Sequence, residues 1–253
     1  MTSKSKGDLV IENISRKTLL PISGEGTQWA GMDTQPLYLK NLKTQTDDWH
    51  YRYKKVQYNL NLKNYRTAEF DNIDWANSIV IFGCSNVFGV GVAEDETISH
   101  YLSTIMNRPV INLGVGSSSM SFAFHNSVIL SEGFPTPWAV IHVWSEISRC
   151  VCYTEQGPAH HGSWNIEREN YIKQWTTQSH NPTTQGMLIS LASNAIWKNK
   201  TKFVEASYFI ETAKALNCIL LNPIDHARDL CHPGPKTNKL TAKILSEQLL
   251  KCK

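Results

Sequence analysis

Ile79-Val80-Ile81-Phe82-Gly83-Cys84-Ser85-Asn86 is an apolar, β-branched run that breaks at a glycine and delivers a hydroxyl. That pattern is a buried strand followed by a tight turn. Outward from it the chain alternates: a helix is expected near 95–106, a strand at 109–113, a helix near 119–131 and a strand at 138–144. A long polar insertion from about 150 to 185 follows, then helical segments to about 216, a strand from Cys218 to Asn222, a loop and a last helix near 235–251. Strands alternating with helices imply a parallel sheet with helices on both faces, joined by right-handed crossovers. Ligands of such sheets bind beyond the carboxyl ends of the strands. Ser85 follows the first strand, Ser117 the second, Ser145 the third, and Asp229 and His232 the last, so all are expected along one edge.

The second informative stretch is Ala227-Arg228-Asp229-Leu230-Cys231-His232-Pro233-Gly234-Pro235-Lys236. Two residues between Asp229 and His232 let a turn carry the carboxylate to one imidazole nitrogen while the other faces a hydroxyl. Ser85, His232 and Asp229 are therefore the candidate nucleophile, base and orienting group. Cys231-His232 beside His226 is the competing metal reading, and the catalytic one is favoured. Gly114 and Gly116 lack the third glycine and the acidic residue of a dinucleotide fingerprint.

At 253 residues and 41% hydrophobic content, the chain can bury one sizeable core. The 25 basic and 22 acidic residues are scattered, which makes no case for nucleic acid as a partner. No stretch approaches the roughly 18 apolar residues of a membrane span. The start, Met-Thr-Ser-Lys-Ser-Lys, has no apolar signal core behind it, so the six cysteines are expected as reduced thiols in a cytoplasmic protein. Residues 1–75 read as an N-terminal extension packed on a main domain of 76–253, with the first 30 flexible. Alternation through Tyr51-Arg52-Tyr53-Lys54-Lys55-Val56-Gln57-Tyr58-Asn59-Leu60 predicts one or two strands there. The aromatic residues from 49 to 75 are either packing for the sheet or a wall for a sugar ring.

Residues 76–252 resemble the SGNH (GDSL-type) hydrolase family of esterases, lipases, thioesterases and carbohydrate deacetylases. Gly83-Cys84-Ser85-Asn86 is similar to its first block, with Cys84 in place of the usual Asp, and Asp229-Leu230-Cys231-His232-Pro233 matches its last, Asp-x-x-His. Asn112-Leu113-Gly114-Val115-Gly116-Ser117-Ser118-Ser119 resembles the second block, whose glycine N–H serves an oxyanion hole, and that donor falls on Gly116 or Ser117. Val143-Trp144-Ser145-Glu146 occupies the third block, with Ser145 where an asparagine amide usually donates. Phe88-Gly89-Val90-Gly91-Val92 and Trp144-Ser145-Glu146-Ile147-Ser148-Arg149 also resemble divergent relatives encoded by tailed phages and marine bacteria. For such a source the location would be a host cytoplasm or a virion.

The resemblance implies a three-layer α/β/α, flavodoxin-like fold and a serine esterase or deacylase acting on a small-molecule or carbohydrate ester, with no metal and no organic cofactor. Its oxyanion hole would combine the N–H groups of Ser85 and of Gly116 or Ser117 with the Ser145 hydroxyl. Asn86, Trp144 and Arg149 are candidate substrate contacts, Trp144 equally a core residue and Arg149 equally a partner for Glu146. His160-His161 reads as a surface loop rather than a metal site, His142 as structural, and Ser118 and Ser119 as caps of the next helix. Two rivals share this pattern: a non-catalytic carbohydrate-binding or structural module, favoured by the altered middle blocks, and an O-acyltransferase with the same triad.

Overall fold

The computed structural model describes residues 28–154, 157–165, 170–178 and 180–252. The flexibility expected of the first 30 residues falls largely outside that set. In chain order the elements are α1 (Gln35–Thr44), β1 (Ile79–Gly83), α2 (Ser85–Phe88), α3 (Ile98–Met106), β2 (Val110–Gly114), α4 (Met120–Gly133) and β3 (Ala139–Trp144). There follow β4 (Cys150–Thr154), β5 (Gly157–His161), α5 (Asn170–Thr177), α6 (His180–Trp197), β6 (Lys202–Ser207), α7 (Ile210–Leu216), β7 (Ile219–Leu220) and α8 (Pro235–Lys251).

Five strands form a parallel sheet in the order β2-β1-β3-β6-β7. All five residues of β1 are buried, because successive side chains point to opposite faces and both faces are covered. Ile79 and Ile81 pack with Ile98 and Leu102 of α3 and Leu245 and Leu249 of α8. Val80 and Phe82 pack with Phe122 and Ile129 of α4 and Trp197 of α6. Each such side chain removed from water stabilises the fold by about 1.5–3 kcal/mol, which makes β1 the axis of a three-layer α/β/α domain.

Three sequence expectations need correction. The segment before residue 216 holds β6, a central strand, where only helices were expected. Lys202 and Glu205 interrupt its apolar pattern. The sheet tolerates Glu205 because its carboxylate accepts from Trp144 Nε1 (2.8 Å), Ser190 Oγ (2.7 Å) and Asn194 Nδ2 (2.5 Å). Second, the polar insertion is not a loop: β4 and β5 pair as an antiparallel hairpin, which places His160 and His161 on a strand, each half-buried. Third, the alternation at 51–60 forms no strand. His50–Arg52 is a 3-10 turn, and Tyr51, Val56 and Tyr58 are buried by packing against Phe88, Val90 and Ala227 instead of by backbone pairing.

Candidate active site

Ser85 opens α2, a single turn that begins two residues after β1 ends. The seat for that turn is built by glycine. Gly83 and Gly114 are register partners at the ends of β1 and β2, and a Cβ added to Gly114 would lie 2.4 Å from the Phe88 nitrogen. Asn112 tightens the contact by donating from Nδ2 to the Val87 carbonyl (2.8 Å) and accepting from the Gly114 N–H (2.9 Å). Ser85 and Asn86 emerge partly exposed on this turn, at the carboxyl edge of the sheet.

At the other end of the chain, Asp229 is 2% exposed, and its Oδ2 lies 2.5 Å from His232 Nδ1. Its Oδ1 accepts from the backbone N–H groups of Cys231 and His232, both at 3.0 Å. Burial by itself pushes the carboxyl pKa up, but the His232 hydrogen bond and charge, with the two N–H donors, hold it below the usual carboxylate value. The turn closes through Leu230, at φ +60 in the left-handed region, and through the Ala227 N–H donating to the His232 carbonyl (2.8 Å).

Gly91 joins the two halves. The Val90 N–H donates to the Ser85 carbonyl (3.2 Å), and the next carbonyl, that of Gly91, accepts from the Arg228 N–H (2.9 Å). A Cβ at Gly91, whose φ is +77, would lie 2.9 Å from Ala227 Cβ and 3.1 Å from the Arg228 nitrogen. The loop after Ser85 and the loop carrying Asp229 and His232 are thus in backbone contact, although the sequence separates them by well over a hundred positions.

Ser117 is exposed and has φ +59, a conformation that favours glycine, and Gly116 beside it is half-buried. Ser119 caps α4 by accepting from the Phe122 N–H (3.3 Å), whereas Ser118 does not cap but donates to the Gly83 carbonyl (3.2 Å). Ser145, at the end of β3, is 3% exposed, and its Oγ has no hydrogen-bond partner among the described residues. Trp144 is 1% exposed, its indole against His142 and its N–H on Glu205, so it belongs to the core and is not a cleft wall. Arg149 lies 3.6 Å from Glu146 Oε2 and between the rings of Trp164 and Phe209. His142 is buried with Nε2 3.0 Å from Ser127 Oγ. The six cysteines are all free thiols.

A buttress behind the Asp229 turn escaped the sequence reading. Arg228 donates from Nε to Asp33 Oδ1 (2.9 Å) and from Nη2 to Asp33 Oδ2 (2.6 Å) and to the Gln28 carbonyl (2.8 Å). Tyr58 donates to Asp33 Oδ2 (2.6 Å) and accepts from the Gly91 N–H (2.8 Å), while Asn41 of α1 donates to the Arg228 carbonyl (3.0 Å). Residues 33–58 therefore hold both loops of the site. The one sequence signal was an arginine adjoining the Asp-x-x-His; nothing local marks Asp33 as its partner.

No helix of the described residues is long and apolar enough to cross a membrane. No protein-family model matches the sequence, and no curated protein does. Among solved structures the chain is similar to the acetyl xylan esterase Est2A from the rumen bacterium Butyrivibrio proteoclasticus, at 10% identity and TM-score 0.45 over 70% of this chain. It spans 64% of that enzyme's length. It is also similar to the psychrotrophic esterase EstA from Pseudoalteromonas sp. (14% identity, TM-score 0.36, 70% of this chain and 98% of that one). A third similar structure is AlinE4, an SGNH-hydrolase family esterase (14% identity, TM-score 0.31, 71% and 98%). The structures this chain is similar to thus include an SGNH-hydrolase family esterase and two other esterases, matched over about 70% of its length at low identity.

Proposed function

We propose that the protein is a serine esterase. Ser85 Oγ attacks an acyl carbonyl, His232 takes the serine proton through Nε2 and returns it to the leaving alcohol, and Asp229 fixes the imidazole from behind. Water then clears the acyl-serine with the same histidine as base. The observation that carries this reading is the buried Asp229 carboxylate on His232 Nδ1 at 2.5 Å, in a loop docked through Gly91 onto the loop that follows Ser85. The orientation leaves Nε2 as the working nitrogen.

The tetrahedral oxyanion is held by the N–H of Ser85, the N–H of Gly116 or Ser117, and the hydroxyl of Ser145. Left-handed backbone at Ser117 supports the second donor, and the buried, unpartnered Oγ supports the third. The substrate is an ester, with O-acetylated carbohydrates as the finer assignment. Treatment with a fluorophosphonate followed by mass spectrometry should place the adduct on Ser85, and Ser85→Ala should lose both labelling and p-nitrophenyl acetate hydrolysis. Folded protein that stays unlabelled would leave a binding module as the better account.

A further inference from the structure

We infer that a cavity between residues 28–56 and the Arg228 side chain binds an acidic sugar unit, a pyranose ring carrying a carboxylate. Binding there needs no reaction at Ser85, so the site stands apart from the esterase reading.

The cavity has a volume of about 260 Å³, near the lower end of the roughly 300–1,000 Å³ of small-molecule sites, which suits one ring. Three parts of the chain line it. Gln35, Tyr38 and Leu39 stand at i, i+3 and i+4 of α1 and so share one helix face. Tyr53 and Lys55 follow the 3-10 turn His50–Arg52, and Gln28, Trp29 and Arg228 complete the lining. The rings are fixed in advance. Arg228, held by Asp33, has its Cζ 4.3 Å from the Trp29 ring centroid and 5.3 Å from that of Tyr38. The Tyr38 hydroxyl donates to the Tyr51 carbonyl (3.0 Å) and that of Tyr53 to the Asp47 carbonyl (3.2 Å). A ligand therefore meets side chains that lose little freedom when it binds.

The lining carries one sign of charge. Arg52, Lys54, Lys55 and Arg228 belong to it, and among the described residues no carboxylate does. Arg228 is paired with Asp33, and Lys54 donates to Asp95 Oδ2 (2.6 Å), but the other two cations have no close counter-charge. Arg52 donates to the neutral carbonyls of Thr46 (2.8 Å), Leu42 (2.6 Å) and Gln45 (2.6 Å), while Asp47 Oδ1 lies 3.9 Å away on a fully exposed side chain. Lys55 is exposed and has neither an ion pair nor a hydrogen bond among the described residues. A concave surface lined by one sign of charge concentrates the opposite ion. The neutral side chains decide what carries that ion. Tyr53 is 80% exposed and Trp29 and Tyr38 are half-buried, so aromatic surface adjoins the cations. The C–H face of a pyranose packs on such rings, and the exposed Gln28 and Gln35 amides supply donors and acceptors for its hydroxyls. A carboxylate on the ring then meets Lys55 and Arg52 through charge-assisted hydrogen bonds.

Isothermal titration of the full chain, as Ser85→Ala so that no ester is cleaved, with trigalacturonate and with its fully methyl-esterified form tests this. The two share every ring and hydroxyl and differ in charge. At low salt the acid should bind about tenfold more tightly or better, and the preference should shrink as salt rises. Lys55→Gln, added to Ser85→Ala, should weaken the acid by about threefold to tenfold and leave the ester unchanged. Tyr53→Ala should weaken both, and Tyr53→Phe, which keeps the ring, should restore them. Both positions are exposed, so these variants keep the fold. No binding of the acid, equal affinity for acid and ester, or acid binding unmoved in both Lys55→Gln and Tyr53→Ala overturns the inference. Tighter binding of uridine monophosphate than of trigalacturonate overturns it too, in favour of a nucleotide site. Fluorophosphonate labelling of Ser85, with that serine present, reads the esterase proposal separately and should be the same in Lys55→Gln as in wild type.

Discussion

Replacing Asp33 by alanine removes the acceptor of two arginine donors and of the Tyr58 hydroxyl, and strands a guanidinium whose side chain is 5% exposed. Taking one partner from a buried pair costs about 3–5 kcal/mol, because the other charge stays out of water. For a chain of this size, 1 kcal/mol moves Tm by about 2–4 °C, so Asp33→Ala is expected to melt roughly 6–20 °C below wild type. The Gln28 carbonyl and the Trp29 ring, 4.3 Å from Arg228 Cζ, still face the cation and favour the lower half of that range. Arg228→Met should cost less, and the double variant should cost far less than the two singles added, since it leaves no charge unpaired. Thermal and urea unfolding at pH 7 give this cycle directly. Arg228 adjoins Asp229, so kcat on p-nitrophenyl acetate should also fall, by about tenfold to a hundredfold, when the turn loses its anchor. A loss under about 1 kcal/mol for Asp33→Ala, or strict additivity in the double variant, would refute the assignment of this pair as a buttress.

Four other outcomes are expected. Gly91→Ala drives a Cβ to 2.9 Å from Ala227 and forces an alanine to φ +77, so it should lose about 2 kcal/mol or more and lower kcat by displacing the Asp229 turn; a neutral result in urea melts and turnover would contradict the contact. Ser117→Gly removes left-handed strain at an exposed residue while keeping its N–H, so it should preserve activity and stabilise by up to about 1 kcal/mol; a large drop in kcat would mean the hydroxyl matters instead. Ser145→Ala should lower kcat and kcat/KM together by about tenfold to a thousandfold with KM nearly constant, and no change would remove its hydroxyl from the oxyanion hole. Burial holds the His142 pKa down to about 3 against an ordinary 6.5, so the unfolded chain takes up the proton first as pH falls. The stability this residue contributes is complete above pH 6.5 and is lost progressively toward about 3; His142→Phe should flatten the fall of Tm across that window, and an unaltered slope would count against it.

The elements legible in the sequence are those whose cause is local. β1, β2 and β3 read as strands because short runs rich in apolar side chains mark them, α3 because its apolar residues recur on one face, and α4 because Ser119 caps its start. The Asp229–His232 pair was legible for the same reason: three positions of chain suffice to bring Oδ2 onto Nδ1. Cross-chain geometry had no such signature. β6 stayed hidden because Glu205 is acceptable in a sheet only when Trp144, Ser190 and Asn194, from two other elements, donate to it. The Tyr51–Leu60 alternation promised a ladder, but the segment is buried by its side chains alone, and no periodicity distinguishes the two. Asp33 meets Arg228 across 195 positions, and no local pattern announces that pair. Residue identity and short spacing determined the strands and the Asp229–His232 turn; tertiary packing alone decided which charges are buried and which are satisfied, because burial and pairing are properties of neighbours that the chain brings together only by folding.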